Sequence, residues 1–369
     1  MTINSKAKKI IQEHIAKING LISNSRVRDS FFRAYQRIYT NRIDKDGRNG
    51  SVVVEITRRC NKKCWHCYAV AGHNQQMSTK NLNKIIELVK KSYKHVFITG
   101  GEPSLDKRVF TAAIKNPNII FFMFTNASLI DIKYAEKLAK IGNLLPILSI
   151  DGSSAAMHES LKGKGSFRDV TRAIDALNKA GMPWGYLSIV TNMNAYDVLS
   201  QKFVNLMREK GAFLARYLEF IPVGPNPEVR LVPSGKVYHF MEKRKREIIN
   251  NGQIYLQDTH QRKCQGLLFF DVNGNIKNCP FFHYAKHNLN ENDTLDRLIK
   301  STQKDWSGAK YSGECPIYSS PVSFRKYLEG LNWKRTVQFQ DKYLLDEKVA
   351  KVISANYKKY LKIKKERGL

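Results

Sequence analysis

The sequence lacks the segments that direct a chain into or across a membrane. No run of about 18 apolar residues occurs, so no segment is long enough to span a bilayer as a helix. The N-terminal segment that starts with Met1 to Ser5 lacks the basic region, apolar core and small-residue cleavage site of a signal peptide. We therefore expect a cytoplasmic protein, and the 369-residue length predicts two or three domains.

Acidic residues are scarce relative to basic ones. The chain has 32 Asp and Glu against 62 Lys and Arg, which gives a net charge of +30. Such a charge attracts anions, and it indicates an acidic leader peptide, RNA, or anionic lipids and phosphorylated metabolites as a possible anionic partner. The alternative is that lysines cover solvent-facing helices without binding a partner. Apolar residues make up 42% of the chain, which excludes a disordered, low-complexity protein.

Cysteine is also rare, and its distribution is more informative than its number. The first group is Cys60, Cys64 and Cys67, and the second group is Cys264, Cys279 and Cys315. In a cytoplasmic chain, clustered cysteines indicate metal binding or redox chemistry rather than disulfides.

Strand-like and helix-like segments alternate between residues 51 and 221. Strands are predicted at 51–57, 95–99, 119–125, 145–150, 185–190 and 216–221. Helices are predicted at 80–92, 106–115, 130–141, 167–180 and 196–210. Apolar strands that alternate with helices are typical of a parallel sheet covered by helices. The six β/α units predict either an open sheet or a partial barrel.

The first cysteine group directly follows the first predicted strand, and the carboxyl ends of barrel strands carry active sites. Three thiolates on one loop can hold a metal centre that keeps one coordination position open. A zinc site with His66 or His73 as the fourth ligand is an alternative. The C-x3-C-x2-C spacing, however, is unlike the paired spacing of common zinc sites.

The same spacing, with His66 before the third cysteine, resembles the signature of the radical SAM enzymes. The resemblance implies that Cys60, Cys64 and Cys67 bind three irons of a [4Fe–4S] cluster. The fourth iron would bind S-adenosylmethionine (SAM), with His66 beside the cofactor. Reductive cleavage would then give a 5′-deoxyadenosyl radical that abstracts hydrogen from a C–H bond, with the cofactor supplying the difficult chemistry. A reductant such as flavodoxin or ferredoxin is the expected partner.

Other segments resemble motifs of this family at later strand ends. They are Gly100-Gly101-Glu102-Pro103, Thr125-Asn126, Ser149 and Asp151 of a Ser-x-Asp-Gly segment, Lys162, and Thr191-Asn192. The resemblance implies that the first motif holds the amino group of SAM and that the others lie near its carboxylate, ribose and adenine. Two positions depart from the family, because Ala127 replaces a glycine and Lys162 replaces an arginine. A lysine lacks the bidentate fork of arginine, and each of the later segments has an alternative as a turn or helix cap.

A hairpin is predicted between the first two cysteines of the second group, because Asn273-Gly274 separates two strand-like runs. The spacing C-x9-G-x4-C resembles the start of a SPASM domain or of its shorter Twitch version, which carry auxiliary iron–sulfur clusters. Only Cys315 follows, so two auxiliary clusters are excluded.

The resemblance leaves one auxiliary cluster on Cys264, Cys279 and Cys315. Its fourth ligand stays open, with His283 and Asp258 among the candidates. Two alternatives also stay open. The thiols are buried and free in a vestigial domain, or Cys315 is a catalytic hydrogen donor to a substrate radical, as an epimerase requires.

The expected fold class is α/β, with a partial (β/α)6 TIM-like barrel and a small C-terminal α+β Twitch/SPASM-like domain. The expected boundaries are a helical basic N-terminal extension at 1–50, the barrel at 51–225, a linker at 226–263, the Twitch/SPASM-like domain at 264–320 and a basic helical tail at 321–369. The first extension has 11 basic and 4 acidic residues, and the tail has 13 and 5.

The expected function is hydrogen abstraction from a peptide, as in the maturation of ribosomally made peptides, or from a small-molecule substrate. An epimerase or dehydrogenase acting on a sugar, lipid or tetrapyrrole-type metabolite is the alternative within the same class. A zinc-stabilised basic RNA-binding protein is the alternative from a different class.

Overall fold

A computed structural model describes twelve segments of the chain. They are 52–69, 74–90, 92–93, 95–223, 228–251, 254–257, 267–277, 279–281, 283–307, 316–330, 333–336 and 347–366. Several predictions lie outside the described residues, namely those on the extension at 1–50 and on His73, Asp258, Cys264 and Cys315.

Six parallel strands form the centre of the main sheet, in the order of the chain. They are β1 (Val52–Thr57), β2 (His95–Gly100), β3 (Ile120–Thr125), β4 (Leu144–Ser149), β5 (Trp184–Val190) and β6 (Ala212–Glu219). Each strand pairs in parallel with the next one along the chain. The predicted α/β class with a partial (β/α)6 barrel is therefore confirmed.

Helices connect these strands. They are α1 (Thr79–Val89), α2 (Arg108–Lys115), α3 (Ile132–Ile141), α4 (Ala155–Lys162), α5 (Ser166–Lys179), α6 (Ala195–Val198) and α7 (Gln201–Glu209). The helix predicted at 196–210 is two helices, because Ser200 is extended and its side chain caps α7 by accepting from the Phe203 N–H. The sequence did not predict α4. Its buried residues include His158 and Lys162, so the helix lacks a plain apolar stripe.

Further strands extend the sheet at both edges. They are β7 (Tyr255–Gln257), which pairs in parallel with β6, then β8 (Leu268–Phe270), β9 (Asn275–Lys277) and β11 (His287–Asn288). Strand β8 pairs in parallel with β1 and antiparallel with β9, so the predicted hairpin is confirmed. Its turn contains Gly274 at φ +77°, a left-handed conformation that favours glycine. Three strands of the segment expected as the Twitch/SPASM-like domain, β8, β9 and β11, thus belong to the same sheet as the barrel strands.

The rest of the described C-terminal chain is mainly helical. It contains α8 (Gly235–Asn251), α9 (Leu295–Ser307), α10 (Pro316–Ser319), α11 (Pro321–Glu329), α12 (Glu347–Glu366) and a two-stranded sheet of β10 (Tyr284–Ala285) and β12 (Lys334–Arg335). Helix α8 and β7 lie within the expected linker at 226–263. The basic helix α12 packs on α8, with the ring centroids of Tyr238 and Tyr360 5.9 Å apart. No helix in the described part of the chain is long and apolar enough to cross a membrane.

Strand register defines which residues share the concave face of the partial barrel. Side chains alternate between the two faces of a strand, so paired positions can be followed across the sheet. On this face are Val53, Glu55, Phe97, Thr99, Phe122, Phe124, Ile147, Ser149, Leu187, Ile189, Arg216 and Leu218. The face is mostly apolar, with polar side chains near the carboxyl ends of the strands.

Candidate active site

The three cysteines of the first group lie on the loop that follows β1, at the carboxyl edge of the parallel strands. Burial, followed by the charge of Cys64, raises the pKa of the Cys67 thiol to about 12. Burial also raises the pKa of Cys60, and Lys162 opposes both increases. The three sulfurs are therefore near enough to influence each other's ionisation, as ligands of one centre would be.

Two glycines hold this loop against the end of β2. The Gly101 N–H donates to the Thr57 carbonyl at 2.7 Å, and the Glu102 N–H donates to the Arg59 carbonyl at 2.7 Å. A Cβ atom on Gly101 would lie 2.3 Å from the Arg59 oxygen, and one on Gly100 would lie 2.1 Å from the Thr57 oxygen. The glycines are thus required for the close approach of the chain that leads into Cys60.

Other contacts anchor the cysteine loop from the side of α4 and α5. The Trp65 N–H donates to the Leu161 carbonyl of α4 at 3.0 Å. Lys62 forms an ion pair with Asp169 at 2.7 Å. The loop is therefore fixed to the barrel on both sides of the cysteines.

Glu102 joins the ends of β2 and β3. Its buried carboxylate accepts from the Thr125 hydroxyl at 2.7 Å, the Asn126 N–H at 2.6 Å and the Ser104 N–H at 2.9 Å. Burial raises the pKa of Glu102, and these hydrogen bonds oppose that increase. Ala127, which replaces the family's glycine, has φ +67° and so occupies a left-handed conformation that glycine adopts more easily.

Asp151 is at the centre of a buried charge network beside the cysteine loop. One carboxylate oxygen lies 2.7 Å from His66 Nε2 and 3.1 Å from Lys162 Nζ, and the other accepts from the Ile189 N–H at 2.7 Å. The pKa of Asp151 is held well below its usual range. Burial raises the pKa of this carboxyl group, but the charges of Lys162 and His66 together lower it by more than burial raises it. Asp151 therefore holds His66 and Lys162 in place.

Two histidines near this network have buried ring nitrogens without a hydrogen-bond partner in the structure. They are Nδ1 of His66 and Nε2 of His158. His158 was not predicted as part of the site, and its Nδ1 accepts from the Asp151 N–H at 3.1 Å. Burial, followed by the charge of Lys162, lowers the pKa of His158 to about 4. The orphaned nitrogen of His66, between two of the cysteines, fits a site that is completed by a polar cofactor.

The remaining predicted positions are at the ends of β4 and β5. Ser149 is half-buried on the concave face. Thr191 is buried and donates its hydroxyl to Asn194 at 2.9 Å, whereas exposed Asn192 donates its N–H to Leu231 at 2.9 Å. Asn194 was not predicted, although it also bonds the Asp151 carbonyl at 3.0 Å. The structure thus brings Thr191 and Asp151 into one network and directs the Asn192 contacts away from it.

Cys279 is the one member of the second group among the described residues. Cys279 is buried and follows β9. Burial is the main cause of the raised pKa of Tyr68, and the charges of Cys67 and Cys279 raise this pKa a little further. The Tyr68 ring packs edge-on against Phe281 at 5.2 Å, and its hydroxyl lies 2.8 Å from Thr99 Oγ1. Tyr68 therefore lies between the two cysteine-bearing segments.

Within the described ranges, no three His, Cys, Asp or Glu side chains form a group that could hold one metal ion. The donors that the loop after β1 offers to a cofactor are the three thiols and the orphaned Nδ1 of His66.

Residues 54–199 match the family model of the Radical SAM superfamily. Mycofactocin maturase MftC of Mycolicibacterium smegmatis is 31% identical over 182 residues, which are 47% of this chain and 45% of that protein. A GTP 3′,8-cyclase of Petrotoga mobilis is 28% identical over 218 residues, which are 56% of this chain and 66% of that protein. An uncharacterised protein of Methanocaldococcus jannaschii is 26% identical over 62% of this chain and 84% of its own length. The chain thus spans about half to two thirds of these two relatives of named activity.

Solved structures share the fold at low sequence identity. SuiB of Streptococcus suis bound to precursor peptide SuiA has a TM-score of 0.58 and 18% identity, over 71% of this chain and 68% of that chain. The protein anSMEcpe with bound AdoMet has a TM-score of 0.60 and 18% identity, over 86% and 97% of the two chains.

The family match defines the class of the barrel. The chain carries a radical SAM domain at residues 54–199, a domain of enzymes. This domain implies a [4Fe–4S] cluster and SAM as cofactors. The matched range contains the cysteine loop, the Gly100–Pro103 segment and the ends of β3, β4 and β5.

Proposed function

We propose that the enzyme abstracts hydrogen from a C–H bond of a peptide substrate, as in the maturation of ribosomally made peptides. The observation that carries the proposal is the loop after β1, which bears three thiols at the carboxyl edge of the parallel strands and lies within the matched domain. When bound, the cluster and SAM supply reductive cleavage to a 5′-deoxyadenosyl radical. The electron comes from a carrier such as flavodoxin or ferredoxin.

The chain's own residues provide ligands and fix their positions. Cys60, Cys64 and Cys67 bind the cluster, and the N–H groups of Gly101 and Glu102, just after β2, hold their loop through two backbone hydrogen bonds of 2.7 Å. Glu102 ties the end of β2 to the end of β3, where it fixes Asn126. A loop fixed at both ends would hold the three cysteine ligands of the cluster at the carboxyl edge of the strands.

The cofactor contacts are assigned to polar groups around this loop. The SAM-binding set is Gly100, Gly101, Glu102, Pro103, Thr125, Asn126, Ser149, Asp151, Lys162, Thr191 and Asn192, together with His66. Lys162 is a buried cation held by Asp151 at 3.1 Å, and it favours an anionic group nearby. The orphaned Nδ1 of His66 is available to a polar atom of SAM. Thr125 and Asp151 act through the groups that they position.

An auxiliary iron–sulfur cluster on Cys264, Cys279 and Cys315 is also proposed, within a Twitch-like unit at 264–320. Its support is the confirmed hairpin at Asn273-Gly274 and the nearness of Cys279 to Tyr68. Purified enzyme with both clusters contains about eight irons per chain, and a count of about four removes the auxiliary cluster.

A peptide substrate is supported by the named relatives. MftC is a maturase, and SuiB was solved with a precursor peptide. A positively charged chain also suits an acidic peptide, since net charge steers encounters. The second candidate is a small metabolite, favoured by similarity to GTP 3′,8-cyclase and AdoMet-dependent heme synthase. In an epimerase, Cys315 would be the hydrogen donor.

Release of 5′-deoxyadenosine tests the cysteine assignment. Anaerobic enzyme with dithionite and SAM is expected to release it, and Cys64→Ala is expected to release none. Lys63→Ala, a change at the exposed neighbouring position, is the matched control and should retain release. Continued release by Cys64→Ala would refute the assignment. A short-peptide gene beside this one would identify the substrate for the same assay.

A further inference from the structure

The cysteine loop exposes two large side chains that the proposed cofactor site does not use. Lys63, next to Cys64, is exposed. Trp65, on the other side of Cys64, is 52% exposed, although tryptophan is on average a highly buried residue. The Trp65 N–H donates to the Leu161 carbonyl near the end of α4 at 3.0 Å. A cation and a large apolar ring therefore reach solvent directly beside one of the thiols.

The turn from α4 to α5 adds two cations to this surface. Lys62 of the loop forms an ion pair with Asp169 of α5 at 2.7 Å, so the loop lies against the start of that helix. Lys164 is exposed in the turn, and Arg168 is exposed in the first turn of α5. We call these four exposed side chains the basic face: Lys63, Trp65, Lys164 and Arg168.

Basic charge exceeds acidic charge in the segments that form the basic face. Residues 61–65 and 159–172 contain six basic and two acidic residues, a net charge of +4. Both acids have other partners, because Glu159 accepts from a backbone N–H of α5 and Asp169 is bound by two cations. In the described part of the chain, no carboxylate pairs with the three cations of the basic face. These cations are therefore available to an acidic partner.

The position of the basic face indicates what that partner delivers. The proposed chemistry draws its electron from a carrier outside this chain, and electron transfer between proteins slows steeply with distance. The carrier must therefore bind where the cysteine loop meets solvent. The basic face begins one residue from Cys64 and continues onto helices that cover the outside of the barrel. A carrier bound there leaves the concave interior open to the substrate.

The composition of the basic face favours a small acidic protein. Tryptophan and arginine are enriched among the residues that dominate binding energy at interfaces. Complementary charge raises the rate at which two proteins associate. Electron-transfer complexes bury less than about 1,200 Å², an area that a few side chains around one aromatic ring can provide. A flavodoxin combines an acidic surface with an exposed apolar edge of its flavin, which can stack on the Trp65 ring.

We propose that the basic face binds a flavodoxin, which supplies the electron for SAM cleavage. This inference rests on the proposed function. One electron leaves the anionic flavin hydroquinone, which becomes the neutral semiquinone, and it lowers the charge of the cluster by one unit. No proton moves in this step.

Binding of purified, oxidised flavodoxin to the anaerobic holoenzyme tests the proposal without turnover. Calorimetric titration should give a Kd that rises at least about tenfold between 0.1 and 1 M salt, because the screening length falls from about 10 Å to about 3 Å. The double variant Lys164→Glu with Arg168→Glu should bind at least about tenfold more weakly than wild type in 0.1 M salt. Trp65→Ala should weaken binding by about tenfold and leave the salt dependence unchanged.

The matched control is the double variant Lys358→Glu with Lys365→Glu, which makes the same change in net charge at exposed positions of α12. It should bind flavodoxin as wild type does. Iron content and melting temperature establish that each variant is folded and loaded. If Trp65→Ala loses iron, the Lys164 and Arg168 variant decides, because it leaves the cysteine loop unchanged.

Release of 5′-deoxyadenosine with two reductants provides a second readout. Dithionite reduces proteins without docking, so the Lys164 and Arg168 variant should release as much as wild type with dithionite. With flavodoxin and its NADPH-dependent reductase, the same variant should release at least about tenfold less. An equal loss with both reductants would overturn the docking role.

Further outcomes separate this inference from the proposed function. No binding of flavodoxin by wild type, or an unchanged Kd in the variants of the basic face, would overturn the docking role, and release with dithionite would leave the proposed function intact. Binding of a twelve-residue polyglutamate peptide as tightly as flavodoxin would assign the basic face to acidic peptides and also overturn it. Binding of flavodoxin through the basic face, without release by wild type under either reductant, would support the docking role and overturn the proposed function.

Discussion

Gly101 offers a sharp test of how the cysteine loop is held. Replacing it with alanine adds a Cβ atom 2.3 Å from the Arg59 oxygen and 2.7 Å from the Arg58 oxygen. Real Cβ atoms essentially never approach closer than 3.0 Å, so the backbone next to Cys60 must move. The atoms in the way belong to the main chain, which cannot rotate aside as a flexible side chain can.

The size of the effect follows from the bonds at this junction. Movement of at least several tenths of an ångström strains two hydrogen bonds, from Gly101 N–H to Thr57 and from Glu102 N–H to Arg59, both 2.7 Å long. Each backbone hydrogen bond contributes about 1 kcal/mol. Gly101→Ala should therefore lower the free energy of unfolding by about 2 kcal/mol or more and displace Cys60 from its position as a ligand.

Iron content and urea denaturation of anaerobically purified protein measure both effects. Gly330→Ala is the matched control, because the nearest atom to its added Cβ is 3.5 Å away, an ordinary contact. We expect reduced iron and reduced stability in Gly101→Ala alone. Full iron and wild-type stability in that variant would refute the view that these glycines position the cysteine loop.

Three further predictions concern groups near this loop. Lys162→Met should lower the free energy of unfolding by about 3 kcal/mol, since it leaves Asp151 buried without its cation. The double variant Lys162→Met with Asp151→Asn should lose less stability than the sum of the two single losses. Urea denaturation of all three variants measures these losses. The pKa of His158 is about 4 in the fold and about 6.5 when unfolded, so the unfolded chain binds the extra proton between these values. Stability should thus fall as pH drops from about 6.5 towards 4, by up to about 3 kcal/mol, and His158→Gln should remove this slope in denaturation curves measured across that range. Ala127→Gly should change stability by less than about 1 kcal/mol, because relief of the positive φ offsets loss of a buried methyl. Ala127→Val should lower stability by more than about 2 kcal/mol, and a stable Val variant in the same denaturation assay would contradict the strained conformation.

The sequence was sufficient to predict the six parallel strands, because their near-continuous apolar character is a local property. Predicted ends differ from observed ends by a few residues, as for β6, which begins at Ala212 rather than at 216. Helix α4 was missed because it has no apolar stripe in its sequence. Its polar residues His158 and Lys162 are buried by the surrounding fold, which the sequence pattern does not reveal. The edge strand β7 is three residues long, too short for a pattern to distinguish it from a loop.

The candidate site likewise contains residues that the sequence could predict and residues that it could not. Motifs at strand ends predicted the positions of Glu102, Asn126 and Asp151, since parallel strands bring their carboxyl ends together. Partners from distant parts of the chain could not be predicted in this way. His158 and Asn194 enter the Asp151 network only after α4 and the β5–α6 turn have folded, and Arg216 reaches Phe97 and Phe124 only once the sheet has curved.

The most direct test of the central claim is the metal content and electron paramagnetic resonance of the enzyme with Cys60, Cys64 and Cys67 all replaced by alanine. The wild-type enzyme, reduced with dithionite, should give a [4Fe–4S] signal that changes when SAM is added. The triple variant should lose about four irons per chain and that SAM-dependent change. A colourless wild-type protein that contains zinc, or a triple variant with unchanged iron and an unchanged response to SAM, would contradict the assignment of this loop.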